Sequence, residues 1–585
     1  MRLHVYTEQL NQFFSKRLNY SSTYLPPVFI FFLLGWILIN ALQAWLTPIS
    51  EDEAYYWMYS RMLDWGYFDH PPMIALWIKA GNLLLDGEIG SRLVAIIAQP
   101  LCLIFLWLTL RDNSPSVKNI LLFFGIAASI VMFEVFGFFS TPDAPLFFFT
   151  SLFLFGYRRF LHKESSLNIL LLAVSMAGML YSKYHGALVI LFVLASNPGL
   201  LLKWKFWLAC LMGALLFLPH MLWQVSHHFP TLEYHLVTRA RPFKMRNILE
   251  YWPNQLLTFN PLFFGLTIFI LFRFRPVDIF ERALYFISAG FLGFFFLASL
   301  RGHIEPHWTA VSCLAMLLLV YRHSLESSSI RRFVNHYLFP SIVLLIFLRF
   351  TLIFDLLPIG LKLHGQKEWS VALGAQAADH PVVFFNSYQH PSLYTYYTGK
   401  PATTLDGVSY KQTQYDLWNF DESYQGQKVI LVSGKELPSS TPIAFPHGRK
   451  KFIYPVDNFI TVRKIQISYN LAPGTSMKPG DSITLDATLL NPYPFNIDFR
   501  NDHLPITFQA SFLQHGKLKK FAHAIPFPDM TTVKAQETQN VRLTFQVPEI
   551  PQGKYFFGIV LKTGVIDGTF NSNFIPVNIF PTDAH

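Results

Sequence analysis

Long apolar runs alternate with short polar segments through the first 360 residues, and the pattern changes beyond them. A membrane-spanning helix needs about 20 apolar residues. Nine runs approach or reach that length, at 26–47, 91–110, 119–139, 143–160, 204–222, 256–272, 283–300, 306–321 and 337–357. A tenth apolar stretch, 167–202, is interrupted by the polar residues of 182–186. The pattern predicts a polytopic α-helical membrane protein.

Charge decides whether the interrupted stretch is one long helix or two short ones. A basic cluster at 158–163 precedes it and a second at 203–205 follows it. Basic clusters mark cytoplasmic loops, so the chain must cross an even number of times between them. Two short helices satisfy this condition, and the sequence therefore predicts about 11 transmembrane helices.

The other basic clusters agree with a cytoplasmic N-terminus. Residues 1–24 are polar, and the first apolar run is long and has no clear cleavage site, so this run is interpreted as a membrane anchor. The polar segments of the opposite, outer face are then 48–90, 140–143, 182–186, 223–255 and 301–305. An odd number of crossings also places everything after residue 360 outside the cytoplasm.

The C-terminal part has two further patterns. Short apolar runs such as PVVFF (381–385) and KVILVSG (428–434) alternate with helical or turn segments, which indicates a small α/β domain. From about residue 459 apolar positions recur with period two, as at Ile483, Leu485 and Ala487, which indicates an immunoglobulin-like β-sandwich. The predicted domains are a membrane domain over 1–360, the α/β domain over 361–457 and the sandwich over 458–585.

Composition supports the membrane assignment and removes one alternative. The chain is 52% apolar and only 14% charged, whereas soluble domains carry roughly 25% charged residues. The net charge of +10 does not indicate a nucleic-acid partner, because the basic residues lie in short clusters between apolar runs. The three cysteines, Cys102, Cys210 and Cys313, lie in apolar runs and read as buried small residues rather than disulfides.

Polar residues that are suited to catalysis or binding collect in the outer segments. Carboxylates, histidines and basic groups together are suited to binding an anionic substrate and moving a proton. An isolated loop aspartate is usually a helix cap or a solvated charge, but here five separate segments contribute. The set comprises Asp52, Glu53, Asp69, His70, Asp143, Lys183, His185, His227, His228, Glu233, His235, Arg239, Arg241, Glu305 and His307.

Five motifs in these segments resemble those of bacterial members of glycosyltransferase families 39 and 83. They are DEAYYW (52–57), FDHPP (68–72), TPDAPL (141–146), SKYHG (182–186) and EPHW (305–308). These families are related to protein mannosyltransferases and to the transferases that place aminoarabinose on lipid A. The resemblance covers residues 26–360 and extends loosely to NSYQHPSLYTYYTGK (386–400). It implies a membrane fold of the GT-C type and a polyprenyl-phosphate sugar donor at the outer face.

The resemblance also implies roles for individual residues. Asp52 is the general base that deprotonates the acceptor hydroxyl, which implies single displacement with inversion. Glu53 orients the loop or a neighbouring donor, and Asp143 completes the catalytic acids. Lys183 matches a position that contacts phosphate. His70 departs from the pattern, because the aminoarabinose transferases have lysine there.

The remaining candidates are substrate-binding or metal-binding. His185, Arg239, Arg241, Glu305 and His307 are candidates for contacting the substrate, with a simple surface role open for the two arginines. No cofactor is required by the motifs. Some relatives bind a divalent ion through an acid before the Pro-Pro pair and a later histidine. Asp69 and His235 are the nearest equivalents, and water or phosphate would have to complete such a site. An interfacial histidine cluster without a metal is the alternative.

The sequence thus favours a transferase of the bacterial inner membrane that acts on lipid A, a glycan or a protein. A transporter or flippase of lipid-linked glycans is the main alternative, but transporters place charges at the bilayer midplane and show repeated halves. A membrane-anchored adhesin would explain the sandwich and leave the polytopic half unexplained.

Overall fold

The computed structural model describes residues 25–110, 116–233, 243–357, 362–408, 410–437, 439–500, 504–514, 517–523, 531–564 and 568–580. Helices make up the part before residue 357, and strands dominate the part after residue 380. The N-terminal helices are α1 Pro27–Leu46, α2 Glu51–Arg61, α3 Met73–Asn82, α4 Gly87–Leu110, α5 Val117–Ala128, α6 Val131–Val135, α7 Asp143–His162, α8 Ser166–Ser182, α9 Gly186–Ser196, α10 Trp204–Ser226, α11 Pro230–Glu233, α12 Met245–Phe259, α13 Pro261–Arg273, α14 Ile279–Ala298, α15 Cys313–Glu326 and α16 Ser328–Phe354.

Within these ranges, six helices are long and apolar enough to cross a membrane, and a bent pair would make a seventh. The six include the 3₁₀ turn Pro306–Ser312, which runs into α15. Three shorter apolar helices, α5, α8 and α9, accompany them. The polar residues at 183–185 separate α8 from α9, so the predicted break in the stretch 167–202 is present.

The bent pair shows where apolar length alone misplaces a helix. The predicted run 256–272 begins in the last turn of α12 and ends in α13, and the two helices meet at 106°. Asn260 lies between them with φ of 79°, and Pro261 follows. A residue before proline is kept out of the helical region, and proline has no N–H to donate. The Asn260 side chain instead accepts from the N–H of Leu262 and caps α13.

The α/β domain contains one five-stranded sheet with helices packed against it. Strands β1, β2 and β3 are parallel, and β5 and β4 extend the sheet antiparallel, in the order β2-β1-β3-β5-β4. The predicted strand runs at 381–385 and 428–434 are β1 and β3. The elements are α17 Gln366–Ala377, β1 Val382–Phe385, α18 Gln389–Thr398, β2 Ala402–Leu405, α19 Gln414–Leu417, α20 Phe420–Ser423, β3 Val429–Ser433, β4 Thr441–Phe445 and β5 Arg449–Val456.

The last part is all β. A five-stranded sheet of order β11-β10-β14-β15-β7 and a three-stranded sheet β13-β8-β6 share one hydrophobic core, and β12 pairs with β9. The alternation predicted from the sequence is visible in β8, where Leu485, Ala487 and Leu489 are buried. The immunoglobulin-like type stays a prediction. The strands are β6 Gln466–Tyr469, β7 Thr475–Met477, β8 Ser482–Leu490, β9 Ile497–Asp498, β10 Ile506–Gln514, β11 Lys517–His523, β12 Thr532–Val533, β13 Thr538–Gln546, β14 Gly553–Thr563 and β15 Ile575–Ile579.

The α/β domain is packed directly on the first outer segment of the membrane region. Ile49 and Ala54 belong to the same buried cluster as Leu393 of α18 and Val382 of β1. A second cluster joins the tyrosines of α2 to the aromatic side chains of α19 and of the turn after it. The helix that carries the DEAYYW motif is therefore held from both sides, by the membrane helices and by the α/β domain.

Candidate active site

Helix α2 begins at the membrane boundary because its sequence supplies a complete N-terminal cap. The Ser50 hydroxyl accepts from the N–H of Glu53, and the Glu53 carboxylate accepts from the N–H of Ser50. Three acidic residues occupy the first turn, where they interact favourably with the helix dipole. This cap fixes the start of the helix, and so fixes which of the adjacent acids points inward.

Glu53 points inward and is fully buried against Arg92 of α4. The guanidinium donates to both carboxylate oxygens, at 2.8 and 2.7 Å. Its remaining N–H groups donate to the carbonyl oxygens of Ala44, Thr47 and Pro48 at the end of α1. The ion pair therefore fastens three segments together, which fits the orienting role assigned to Glu53.

Asp52 points outward and is exposed. Its Oδ1 accepts a hydrogen bond of 3.0 Å from the hydroxyl of Tyr388, which immediately precedes α18 of the α/β domain. The Tyr388 ring lies 4.4 Å from that of Tyr55, and the Lys411 ammonium lies 4.7 Å from the Tyr388 ring. The α/β domain thus contributes an aromatic hydroxyl and a cation to the surroundings of Asp52.

Asp69 lies in the same neighbourhood. Burial raises the pKa of Tyr388 well above its usual value, and the negative charges of Asp52 and Asp69 raise it further. Asp69 acts in the same direction on the pKa of Tyr55 and Tyr59, after burial. Tyr388 therefore keeps its proton and remains a donor to Asp52.

Gln414 of α19 connects the α/β domain to both the DEAYYW and the FDHPP motifs. Its side-chain oxygen accepts from the N–H of Phe68 at 2.7 Å, and its own N–H donates to the hydroxyl of Tyr55 at 2.8 Å. Phe68 belongs to the FDHPP motif and Tyr55 to DEAYYW. One residue from the α/β domain therefore sets the spacing between the two motifs.

The turn that carries Gln414 contains two buried carboxyl groups. Asp406 accepts from the hydroxyls of Thr404 and Thr413, and Asp416 accepts from the N–H of Thr413. Burial, together with the charge of Asp416, raises the pKa of Asp406 well above its usual value. Burial also raises the pKa of Asp416, to about 6, against the opposing charge of Arg463.

This pair contributes most to stability in acid. Carboxyl groups with raised pKa bind more protons when folded than when unfolded, so their contribution is full below pH of about 4 and falls as pH rises through 6 and above. Thermal unfolding of the full-length protein in detergent between pH 5 and pH 8 measures the loss. Asp406→Asn, whose amide can donate to Asp416 without ionising, should flatten this dependence. The same slope in the variant would exclude the pair as its source.

Asp143 and Lys183 form the second buried ion pair of the region. The ammonium lies 2.9 Å from each oxygen of Asp143, and both side chains are 6% exposed. Asp143 begins α7 and Lys183 directly follows α8. The pair lies close to α2, because the N–H of Ser140 donates to Glu53 at 2.8 Å. The TPDAPL and SKYHG motifs thus meet beside DEAYYW.

Two of the other histidine candidates pack against aromatic rings. The His70 ring contacts the edge of the Tyr56 ring at 5.6 Å. The His185 ring lies 5.0 Å from Phe295 and 5.2 Å from Trp308, which brings EPHW against SKYHG. In the same segment, Glu305 lies 3.8 Å from the His303 ring and His307 is half-buried.

The end of α10 closes the region from a further side. His220 is fully buried, with one ring nitrogen 2.7 Å from the carbonyl oxygen of Trp65 and the other 2.7 Å from the hydroxyl of Tyr184. The indole of Trp223 donates to Asp64, and its ring covers Gly66 so closely that a Cβ there would come within 2.3 Å. The second half of the first outer segment is therefore fixed to α10.

Three predicted residues lie outside the described part of the chain: His235, Arg239 and Arg241. The metal pair Asp69 and His235 is therefore represented by Asp69 alone. Among the residues that the structure describes, no group of three or more histidine, cysteine, aspartate or glutamate side chains is arranged to hold a metal ion. The metal site at Asp69 and His235 therefore stays a prediction.

Four contributors to the site are absent from the sequence-based set: Arg92, Tyr388, Lys411 and Gln414. Arg92 could have been found from the sequence, because it is a single charge inside an apolar run, where a charge needs a partner. Tyr388 lies in the segment 386–400 to which the family resemblance loosely extended. No sequence pattern identifies Lys411 or Gln414, because they reach the site only through the packing of the α/β domain.

Two sequence comparisons relate the chain to glycosyltransferases. The family model of dolichyl-phosphate-mannose-protein mannosyltransferases matches residues 69–223. The lipid A galacturonosyltransferase RgtD of Rhizobium johnstonii is 26% identical over 247 residues, which are 39% of this chain and 50% of that protein. The chain thus spans about half the length of this relative.

Solved structures decide the fold. ArnT from Cupriavidus metallidurans in the apo state covers 73% of this chain and 97% of its own length, with 13% identity and a TM-score of 0.52. The chain has the GT-C fold. The same ArnT bound to undecaprenyl phosphate matches equally, with 14% identity and a TM-score of 0.52.

The resemblance to GT-C glycosyltransferases, drawn from the motifs, is confirmed. The match to the mannosyltransferase family begins at Asp69 and ends at Trp223, so it includes TPDAPL, SKYHG and all of FDHPP except Phe68. The GT-C comparison with ArnT covers far more of the chain than the family match does, since it extends over nearly three quarters of it. The described helices of the GT-C region include six or seven that can span a membrane.

Proposed function

We propose that this chain is an inverting glycosyltransferase that moves a sugar from a polyprenyl-phosphate donor to an acceptor hydroxyl at the outer face of the cytoplasmic membrane. The observation that carries the proposal is the difference among the three candidate acids. Glu53 and Asp143 are each paired with a buried cation, whereas Asp52 is exposed and accepts from a neutral hydroxyl. Of the three, Asp52 is the carboxylate that can take a proton.

The reaction follows from this arrangement. Asp52 removes the proton of the acceptor hydroxyl as its oxygen attacks the anomeric carbon of the donor. The bond from that carbon to the phosphate oxygen breaks on the opposite side, and the polyprenyl phosphate leaves with the bonding electrons. One acid acting on the incoming hydroxyl, without a covalent intermediate, inverts the anomeric centre.

Lys183 is proposed to stabilise the departing phosphate. An ammonium group has three N–H donors, and the two oxygens of Asp143 occupy two of them. The third is available to a phosphate oxygen. The ion pair with Asp143 keeps the lysine charged in a buried place and holds it still before the substrate arrives.

The donor and acceptor classes are supported by relatives. The matching family takes its name from dolichyl-phosphate-mannose, and ArnT has been solved with undecaprenyl phosphate. The galacturonosyltransferase relative acts on lipid A, so lipid A is the proposed acceptor, ahead of another glycan or a protein. His70, His185, Glu305 and His307 are proposed to line the substrate, and Arg239 and Arg241 to bind its phosphate or acidic groups.

The membrane arrangement is part of the proposal. Eleven crossings would place the α/β domain and the sandwich outside the cytoplasm. They are the six long spans, helix α7, the short helices α5, α8 and α9, and the bent pair α12 and α13 taken as one. The site then faces the compartment in which lipid-linked sugars are presented. This is the bacterial inner membrane in the orientation that the basic clusters predict.

Comparison of lipid A, surface glycans and membrane proteins from a deletion strain and its parent tests the proposed function. We expect one sugar to be missing from one acceptor and its polyprenyl-phosphate donor to accumulate. Restoration by the wild-type gene, and not by the Asp52→Asn variant, supports transfer. Loss of the donor from the outer leaflet, with transfer restored by the Asp52→Asn variant, would instead identify a flippase.

A further inference from the structure

A polar cavity lies on the side of α2 away from Asp52. Its volume is about 400 Å³. On an α-helix residues turn by about 100° per position, so Asp52, Tyr55 and Tyr56 share one side and Trp57, Ser60 and Arg61 another. The second group lines the cavity. The cavity is therefore separate from the surroundings of Asp52, although the same helix forms a wall of both.

The cavity is built where the membrane region meets the α/β domain. The end of α3 and the beginning of α4 supply Lys79 and Glu88, and the α/β domain supplies Lys367 of α17 and Tyr396 of α18. Tyr396 packs edge-on against Trp57 at 5.1 Å. A ligand in this cavity would therefore contact both parts of the protein.

Three cations face the cavity: Arg61, Lys79 and Lys367. Across the described ranges, none of them has a carboxylate at ion-pair distance, in contrast to Lys362, which pairs with Glu51. The Arg61 guanidinium lies instead 5.5 Å from the ring of Trp57. Three cations that form no ion pair, and that outnumber the two carboxylates of the same cavity, favour an anionic ligand.

The other groups that line the cavity favour an anionic sugar as the class of ligand. Trp57 and the tyrosines of α18 supply flat apolar surfaces, and Asp86 and Glu88 supply oxygens that accept from hydroxyl groups. The two carboxylates disfavour an anion without hydroxyl groups, since such an anion would leave them opposed to like charge. A phosphorylated saccharide satisfies the cations, the acids and the aromatic faces together.

The surroundings of the cavity indicate that this saccharide belongs to a lipid. Leu83 lines the cavity and is 74% exposed, and the adjacent Leu84 and Leu85 are 75% and 45% exposed. These residues form the turn between α3 and α4. An acyl chain could run along this leucine turn while its headgroup occupies the cavity.

We propose that this cavity, on the opposite side of α2 from Asp52, binds the phosphorylated headgroup of the acceptor glycolipid. The assignment of the ligand as the acceptor rests on the proposed function. Trp57 lies five residues beyond Asp52, which is about 8 Å along the helix axis. The cavity also faces away from Asp52 around the helix, so an acceptor with its phosphate in the cavity must extend over more than one sugar to bring a hydroxyl to the carboxylate.

Binding to the full-length protein in detergent micelles tests the proposal. The probes are lipid A carrying two phosphates, the same lipid A after enzymatic dephosphorylation, and phosphatidylglycerol, each measured by the shift in thermal unfolding temperature. We expect a shift with phosphorylated lipid A alone. Arg61→Gln and Lys79→Gln should each weaken that binding by roughly tenfold, since each removes a charged hydrogen bond.

Control variants separate the cavity from general charge and from catalysis. Lys554→Gln removes one positive charge from the β-sandwich and should bind as the wild type does, and Arg61→Lys should retain most of the affinity. Competition by soluble glucosamine 1-phosphate would support the cavity and show that the headgroup suffices. Equal shifts with phosphatidylglycerol, or unchanged binding in both glutamine variants, would overturn the proposal.

The same variants distinguish this proposal from the proposed function. Asp52→Asn should bind phosphorylated lipid A as tightly as the wild type while failing to transfer sugar. Normal transfer by Asp52→Asn with weakened binding by Arg61→Gln would leave the cavity assigned and the base assignment refuted. The reverse result, with transfer lost in Asp52→Asn and binding unaffected in Arg61→Gln, would refute the cavity alone.

Discussion

Asp52→Asn is expected to reduce sugar transfer by about 10²- to 10⁴-fold, the range of general-base catalysis, without reducing the amount of folded protein. The amide has nearly the same shape and can still accept from the hydroxyl of Tyr388, which lies 3.0 Å from the carboxylate. It cannot take a proton from the acceptor. Transfer by purified protein in nanodiscs, followed with a radiolabelled donor, measures the effect, and elution on size exclusion reports the fold.

Two neighbours provide matched comparisons for this variant. Glu51→Gln removes a charge from the adjacent helix position, where Glu51 pairs with Lys362 at 3.8 Å, and should retain most of the activity. Tyr388→Phe removes the hydroxyl that orients the carboxylate and keeps the ring, so a loss of roughly tenfold is expected, mainly in kcat. Activity of Asp52→Asn within a few-fold of wild type would end its assignment as the base.

Glu53→Gln is expected to lower the free energy of unfolding by about 3–5 kcal/mol, the cost of leaving one member of a buried ion pair uncompensated. Arg92 is fully buried, and Glu53 is its anionic partner at 2.7 Å. The cap of α2 also loses strength, because the N–H of Ser50 bonds to the same carboxylate. Urea unfolding in detergent micelles, monitored by tryptophan fluorescence, measures the change.

An exposed ion pair supplies the control for this second variant. Asp457→Asn removes the acid that pairs with Lys428, whose side chain is 45% exposed, and should leave the unfolding midpoint unchanged. The double variant Glu53→Gln/Arg92→Gln should recover only part of the lost free energy of unfolding. In it, three carbonyl oxygens at the end of α1 lose the guanidinium that donates to them. Full recovery would mean that the charge pair acts alone.

The sequence was sufficient for most of the helices and strands, because burial on one side leaves a period that can be read directly. The same reading misplaced two helices. Asn260 and Pro261 break the run predicted at 256–272, and the run predicted at 119–139 is divided at Ser129 and Ile130 into α5 and α6. The length of an apolar run does not reveal a helix break that one or two residues impose through their backbone geometry.

The candidate site shows a related limit. Asp52, Asp143 and Lys183 were found from motifs within short segments, and the structure brings TPDAPL and SKYHG together through an ion pair of 2.9 Å. The partners of Asp52 were not found, since Tyr388 is 336 positions away. Contacts of that kind depend on how a separately folded domain packs, and no local pattern encodes it.

Gln414 has a consequence for the engineering of these enzymes. Its side chain and N–H connect Phe68 and Tyr55 of the first outer segment to the α/β domain. A chimera that exchanges the α/β domain between relatives would pair one parent's residue at this position with the other parent's loop. Residues 48–90 and 362–456 should therefore be transplanted as one unit, and relatives that alter one of these segments should carry a compensating change in the other.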